Sequence, residues 1–124
     1  MRLQSYQELI GWKKSMALVT EIYRHTQDFP KDEIYGLTSQ LRRAAVSIPS
    51  NIAEGQGRLS RGEFRQFLGH AKGSVFEVET QLLIARDLGY LSDQTTLDLL
   101  GRVQEVGRIL SGLLSSLGHS RTSH

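Results

Sequence analysis

Apolar residues recur through most of this chain at alternating spacings of three and four, which is the period of an amphipathic α-helix. The first stripe consists of Leu9, Trp12, Met16, Val19 and Tyr23. Ser5 and Glu8 precede it with the Ser-x-x-Glu spacing of a capping box, and they predict the start of helix 1. The pair Phe29-Pro30 predicts its end, since a proline ring does not fit the interior of a helix.

A second apolar stripe predicts helix 2. Its members are Leu37, Leu41, Ala45, Ile48 and Ile52. Asp32 and Glu33 lie where the dipole of a helix N-terminus favours negative charge. Pro49 falls inside the stripe, and because the apolar pattern continues beyond it, we expect a bend at this point and not an end. Gly55 and Gly57 predict the end of the helix.

Two further helices follow. Ser60 and Glu63 repeat the capping-box spacing and predict the start of helix 3, Gly89 predicts its end, and Ser92 is a capping residue for helix 4. The stripe of helix 3 consists of Phe64, Leu68, Ala71, Val75, Val78, Leu82 and Ala85. Helix 4 has one line of Leu97, Leu100, Val103, Leu110, Leu114 and Leu117, and a second line of Leu99, Val106, Ile109 and Leu113. A helix with apolar residues on two sides usually contacts two neighbours.

Four amphipathic helices with short connections and no strand-like alternation predict an all-α, up-down-up-down four-helix bundle. No repeat or low-complexity linker divides the chain, so residues 1–118 are predicted to form a single domain. The last six residues, 119–124, carry no apolar residue to pack against the bundle and are expected to fray.

Composition excludes several classes of function. The chain has 124 residues and no cysteine, so neither disulfides nor thiolate chemistry are available. No run of about 18 apolar residues is present, which argues against a membrane span, and we expect a cytoplasmic protein. None of the four histidines follows a glutamate by three residues, as a di-iron bundle requires. We therefore predict no metal, no cofactor and no enzymatic activity.

Charge is uneven along the chain. The formal net charge is +2, but the segment from Gln40 to Lys72 has six basic residues and two acidic ones, a local charge of +4. The candidate contacts to an anionic partner are Arg42, Arg43, Arg58, Arg61 and Arg65. RNA or DNA is the partner class that such a segment favours, since local charge steers association. A solvated helix face is the alternative interpretation.

Two polar stripes accompany the apolar ones at the same spacing. The stripe on helix 2 consists of Arg43, Ser47, Asn51 and Glu54, and the stripe on helix 3 consists of His70, Ser74, Glu77 and Gln81. A buried carboxylate needs partners, so we predict a structural polar network of Arg43, Ser47, Asn51, Glu54, Ser74 and Glu77. Within it, Arg43 is the expected counter-ion of Glu54 or Glu77. A seam between subunits and a solvated face remain alternatives.

The segment from Leu37 to Leu91 resembles closely the signature of the bacterial four-helix bundle family known as rRNA intervening-sequence proteins. The resemblance covers nearly the whole chain. It includes FP at residues 29 and 30, QLRRAA from Gln40, SIPSNIAEG from Ser47, and the pairing of Ser74 with Glu77.

This resemblance implies a bundle that assembles into a ring of five subunits. Members of the family are encoded within intervening sequences of large-subunit rRNA genes, and the accessory variability determinant of diversity-generating retroelements is similar in structure, basic, and associated with nucleic acid. We therefore expect a homopentamer that binds nucleic acid weakly and without sequence preference. In that ring, Leu99, Val106, Ile109 or Leu113 is expected at the subunit interface. A protein-interaction scaffold with no nucleic-acid role is the alternative.

Overall fold

The structure is a computed structural model that describes residues 6–122, with side chains from residue 8 to residue 118. It contains four long helices, α1 (Tyr6–Thr26), α2 (Leu37–Gln56), α3 (Arg61–Asp87) and α4 (Asp93–Thr122), and one 3-10 turn at Lys31–Glu33. No β-strand occurs in the described part of the chain. The prediction of an all-α four-helix bundle is confirmed.

Each helix packs against two others. The neighbouring pairs are α1 with α2, α2 with α3, α3 with α4, and α4 with α1, whereas no Cα atoms of diagonal helices lie within 8 Å of each other in the described residues. This is the closed square that short connections between antiparallel helices produce. No described helix is both long enough and apolar enough to cross a bilayer.

The predicted stripes of α2 and α3 form the centre of the core. Leu41, Ile48 and Ile52 of α2 are fully buried, as are Leu68 and Leu82 of α3. Burying a large aliphatic side chain contributes about 1.5–3 kcal/mol relative to leaving it exposed. The interface between these two helices is therefore a main source of stability.

The predicted stripe of α1 is correct in part: Trp12 and Val19 pack against the core, but the helix is rotated relative to the prediction. Met16 and Tyr23 are 44% and 41% exposed, while Leu18 and Ile22 are fully buried. In this orientation α1 and α4 approach closely at Gly11, where an added Cβ would lie 3.2 Å from Cγ2 of Ile109. In the sequence, apolar residues occur on two neighbouring lines of α1, so the pattern alone did not determine which line is buried.

The two apolar lines of α4 also differ from the prediction in which side chains are buried. Leu97 is 64% exposed, whereas Leu99 and Val106 are buried in the core of the chain itself. These two side chains are therefore not available to a neighbouring subunit, which corrects the predicted interface. Ile109 and Leu113 are half-buried.

The predicted caps of α3 and α4 are present. Ser60 Oγ accepts a hydrogen bond from the Glu63 N–H at 3.1 Å, and Ser92 Oγ accepts one from the Thr95 N–H at 3.1 Å. Gly89 has a φ of 79°, the left-handed conformation that ends many helices. Ser5 lies outside the described residues, so the capping box of helix 1 stays a prediction.

The predicted end of α2 is confirmed at Gly57, which caps the helix, but not at Gly55. The helix continues through Pro49, as expected, but it also includes Gly55 and ends beyond it at Gln56. Gly55 is needed for close packing: a Cβ there would lie 2.8 Å from Cδ1 of Phe64 and 3.1 Å from Cβ of Phe67.

At the C-terminal side of the bundle, α4 extends to Thr122, beyond the predicted domain end at residue 118.

Candidate nucleic-acid interface

The five candidate arginines do not form one patch. Arg42 and Arg43 lie in the second turn of α2, whereas Arg58, Arg61 and Arg65 lie beyond its C-terminus and at the start of α3. At 1.5 Å per residue, the length of α2 separates these two groups by roughly 20 Å. They must be considered separately.

Arg42 is directed into the fold. Its Nε donates a hydrogen bond to Thr26 Oγ1 at 2.8 Å, and its guanidinium lies 4.5 Å from the centroid of the Tyr23 ring. Stacking of a guanidinium on an aromatic ring is favourable because the ring face is electron-rich. Arg42 therefore joins α2 to the end of α1, and it is less exposed than Arg58, Arg61 and Arg65.

Arg58 has partners but remains near the surface. One Nη donates to Glu54 Oε2 at 2.6 Å, and the guanidinium lies 4.7 Å from the centroid of the Phe67 ring. Its side chain is 38% exposed. Because a guanidinium has five N–H donors, this arrangement holds the group in place and leaves donors for a further ligand.

Arg61 and Arg65 are exposed, and neither forms an ion pair or a hydrogen bond with a described residue. Glu63, which lies between them in the sequence, accepts a bond from Ser60 Oγ at 3.2 Å instead. The first turn of α3 also presents free backbone N–H groups and the positive end of its dipole. We call Arg58, Arg61 and Arg65 together the arginine end of the bundle.

A cavity of about 240 Å³ opens beside the arginine end. Glu8, only 7% exposed, accepts a hydrogen bond from Nε2 of Gln56. Oε1 of Gln56 is buried and has no hydrogen-bond partner among the described residues. The lining comprises Glu8, Gly55, Gln56, Arg58, Leu59, Ser60, Arg61, Phe64 and Leu117. Sequence reasoning missed this cavity, because no spacing pattern connects residues 48 positions apart.

The polar stripes of α2 and α3 meet in part. Ser47 Oγ and Ser74 Oγ are 2.8 Å apart, and Asn51 Nδ2 donates to the Ser47 carbonyl at 2.8 Å and to Ser47 Oγ at 2.9 Å. Glu54 is exposed and pairs with Arg58, four residues further along the same helix. The structure thus brings together Ser47, Asn51 and Ser74, and it pairs Glu54 with a different arginine from the one predicted.

Arg43 and Glu77 lie apart from the hydrogen-bonded group of Ser47, Asn51 and Ser74, which we call the polar row. Both are exposed, and both line an open groove of about 510 Å³ between α2 and α3. No ion pair joins them within 4 Å in the described structure. Gln81 lines the same groove, and its Oε1 is buried with no hydrogen-bond partner in the part of the chain that the structure describes. This groove is defined here as the α2–α3 groove.

The opposite end of the bundle is held by a carboxylate that bridges two connections. Glu33 accepts the Leu37 N–H at 3.1 Å and the Tyr90 hydroxyl at 2.8 Å. The bond from the Leu37 N–H, and after it the bond from Tyr90, lowers the pKa of Glu33. The hydrogen bond to Glu33, with burial, raises the pKa of Tyr90. We call this group the bridged end.

Metal binding has no support in the described residues, where no cluster of three histidine, cysteine, aspartate or glutamate side chains occurs. A carboxylate pair suited to acid–base chemistry is also not brought together, since Glu54 and Glu77 project separately to solvent. The arginine end presents hydrogen-bond donors and positive charge, which suit an anion.

Comparison with known proteins identifies the class and then the family. The fold is similar to that of a solved protein of unknown function from the S23 ribosomal protein family of Bacteroides thetaiotaomicron, with a TM-score of 0.81, 19% sequence identity, and coverage of 88% of this chain and 98% of that one. The family model for the 23S rRNA-intervening sequence protein matches residues 7–112. The chain therefore belongs to the 23S rRNA-intervening sequence protein family. No curated protein matches it significantly.

Proposed function

We propose that this protein binds nucleic acid through the phosphate groups of its backbone, using the arginine end. The observation that supports this most is the exposure of Arg61 and Arg65 without any partner among the described residues. Arginine forms bidentate hydrogen bonds with phosphate, and the start of α3 adds N–H groups of the backbone. Contacts of this kind position a nucleic acid without reading its sequence.

One subunit supplies few such contacts, so we propose that the protein acts as a homo-oligomer, a ring of five subunits in the cytoplasm. Repeating a weak site raises the overall affinity through effective concentration. Ile109 and Leu113 are the members of the predicted interface that the chain's own core leaves half-buried. The role is one of binding, with no catalytic step.

A gel-shift assay with single-stranded RNA and DNA tests this proposal. Binding is expected at about 50 mM salt and should be largely lost at about 200 mM, because phosphate contacts release counterions. The variant Arg61→Ala/Arg65→Ala should lose binding. The matched control is Arg24→Ala/Arg86→Ala, which removes the same charge from arginines that pair with Glu21 and Asp87. Equal binding by both variants, or no binding by the parent, would contradict the proposal.

A second candidate function, a protein-interaction scaffold, is favoured by the α2–α3 groove. Arg43 and Glu77 present opposite charges there without pairing, and Gln81 Oε1 lacks a donor. A partner protein with complementary charges would satisfy all three groups.

Charge exchange tests the groove in self-assembly. If it joins copies of this chain, Arg43→Glu and Glu77→Arg should each lower the mass measured by light scattering, and the double variant should restore it. An unchanged mass in both single variants would exclude the groove from the subunit interface and leave only a foreign protein as its partner.

A further inference from the structure

A second groove lies between α3 and α4, further along the bundle from the arginine end. Its volume is about 330 Å³, and its lining includes Lys72 and Phe76 of α3 and Gly107 and Arg108 of α4. The two helices approach closely here, since a Cβ added to Gly107 would lie 3.2 Å from Cγ1 of Val75. We call this surface the α3–α4 groove.

Positive charge leads from the arginine end to this groove along one line of α3. The members of the line are Arg61, Arg65, Lys72 and Phe76. Their spacings of four, seven and four residues place side chains on one face of a helix. The guanidinium of Arg65 lies beside α4, because its Nη2 would be 3.5 Å from a Cβ added to Gly118. At 1.5 Å per residue, Arg65 and Phe76 are roughly 17 Å apart along the helix.

Lys72 and Arg108 line the groove from its two helices and have donors available. Neither forms an ion pair or a hydrogen bond with a residue in the described part of the chain. Glu79 is the acidic residue of the lining, and it follows Phe76 on the side away from the arginine end. An anionic chain is therefore favoured between the arginine end and Phe76 and repelled beyond it.

Phe76 presents an aromatic ring at this surface. The residue is 56% exposed, whereas Phe29 is buried and Phe64 and Phe67 are half-buried. Nζ of Lys72 lies 4.8 Å from the centroid of the Phe76 ring, and no second aromatic ring of the described residues contacts it. An exposed ring beside cations is the arrangement on which unpaired bases stack while the charges hold the backbone.

Two other occupants fit this surface less well. The bases of a duplex are stacked on one another, so none presents a free face to an exposed ring. A protein segment would have to place acidic side chains next to an apolar one, since Lys72 and Arg108 need negative charge and Phe76 needs an apolar group or a ring. Every nucleotide of a single strand supplies that combination, because each has a phosphate and a flat base.

We infer that the α3–α4 groove binds a single strand of nucleic acid, with one unpaired base stacked on Phe76 and the adjacent phosphates bound by Lys72 and Arg108. This inference rests on the proposed function and extends it: the arginine end binds phosphate groups, and the groove adds a contact that only an unpaired base can make. Because every base has a π-face, the contact does not distinguish one sequence from another.

Fluorescence anisotropy with two labelled oligomers, measured at about 50 mM salt, tests the inference. One is an oligothymidine of about eight nucleotides, since sites of this kind cover about 4–16 nucleotides. The other has the same backbone with abasic sites in place of the bases. The parent protein should bind the oligothymidine about tenfold more tightly than the abasic oligomer, as the stacking of one base implies. Equal affinities would overturn the inference, leave the proposed function intact and favour a protein as the occupant of the groove.

Substitutions assign the stacking to one ring. Phe76→Ala should bind the two oligomers equally, whereas Phe76→Tyr keeps the ring and should keep the difference. Tyr35→Ala is the matched control, because it removes an aromatic side chain that is 95% exposed near the bridged end, and it should also keep the difference. Lys72→Ala/Arg108→Ala should weaken both oligomers.

The remaining outcomes separate the inference from the proposed function. A preference for the oligothymidine that survives in Phe76→Ala would overturn the assignment to Phe76. No binding of either oligomer by the parent would overturn both the inference and the proposed function. The comparison of the two oligomers needs no variant, so equal affinities would overturn the inference even where a Phe76 variant fails to fold.

Discussion

The two ends of the bundle use polar residues differently. At the bridged end, Glu33 joins the start of α2 to Tyr90, and Arg42 is held by Thr26 and Tyr23. At the arginine end, Arg61 and Arg65 are exposed and have no hydrogen-bond or ion-pair partner among the described residues, although the Arg65 guanidinium lies beside α4 at Gly118. The groups of the bridged end are satisfied within the chain, while those of the arginine end still have donors to offer. Similar sequence signals, clustered charges beside helix ends, therefore have different roles.

The largest difference we expect comes from the packing beneath the arginine end. Gly55→Ala would place a Cβ 2.8 Å from Phe64 and 3.1 Å from Phe67, and it should lower the free energy of unfolding by about 1–3 kcal/mol through overpacking. Gly69→Ala is the control, because nothing lies within 4 Å of a Cβ there. It should stabilise α3 by up to about 1 kcal/mol. Urea unfolding measures both, and equal effects would show that Gly55 is not needed for the close approach.

A moderate effect is expected in the polar row between the two ends. Ser74→Ala removes the bond to Ser47 Oγ from a side chain that is 5% exposed. The loss should be about 1 kcal/mol in unfolding free energy. Ser50→Ala, at an exposed position of α2, makes the same chemical change without that bond. Equal stability of the two variants would indicate that the row contributes nothing.

The stability that the bridged end contributes should depend on pH. Because the pKa of Glu33 is lowered in the fold, its contribution to stability is fully present above the unfolded pKa and is lost as the pH falls through the lower folded pKa. The difference in Tm between the parent and Glu33→Gln should therefore shrink on acidification from pH 7. Tyr90→Phe, which removes one of the two bonds, should show a smaller difference than Glu33→Gln. A difference in Tm that does not change with pH would contradict this.

The smallest effect concerns the ion pair at the arginine end. Glu54 and Arg58 are four residues apart and both near the surface, with side chains 54% and 38% exposed. Such pairs contribute about 0.5 kcal/mol or less, so Glu54→Ala should barely change stability. A loss of several kcal/mol, measured by urea unfolding, would instead place Glu54 in the buried network that its spacing suggested.

The helices and their caps could be predicted from sequence because the signals are local. Ser60 and Ser92 cap helices as their spacing indicates. The rotation of α1 could not be predicted, because it is set by packing between residues far apart in the chain, such as the close approach of Gly11 to Ile109. Local charge counting likewise placed Arg42 in a binding patch, since a sequence does not show that Tyr23 and Thr26 lie beneath its side chain.

The candidate site was predictable in its residue types but not in its geometry. Arg61 and Arg65 stood out in the sequence, whereas the cavity beside them requires Glu8 and Gln56 to meet across 48 positions. Glu8 also fits the Ser-x-x-Glu spacing of a capping box, so the sequence pattern already accounts for a glutamate at this position. Only the packing of the helices shows that its carboxylate is buried.

The dependence of nucleic-acid affinity on salt tests whether the arginine end binds phosphate groups. The logarithm of the binding constant should fall linearly with the logarithm of the salt concentration, with a slope set by the number of phosphates contacted. Arg61→Ala/Arg65→Ala should reduce the magnitude of this slope by about 1.4–1.8 per binding site, whereas Arg24→Ala/Arg86→Ala should leave it unchanged. An identical slope for the parent and Arg61→Ala/Arg65→Ala, or no measurable binding at low salt, would contradict the assignment of the arginine end as a phosphate-binding surface.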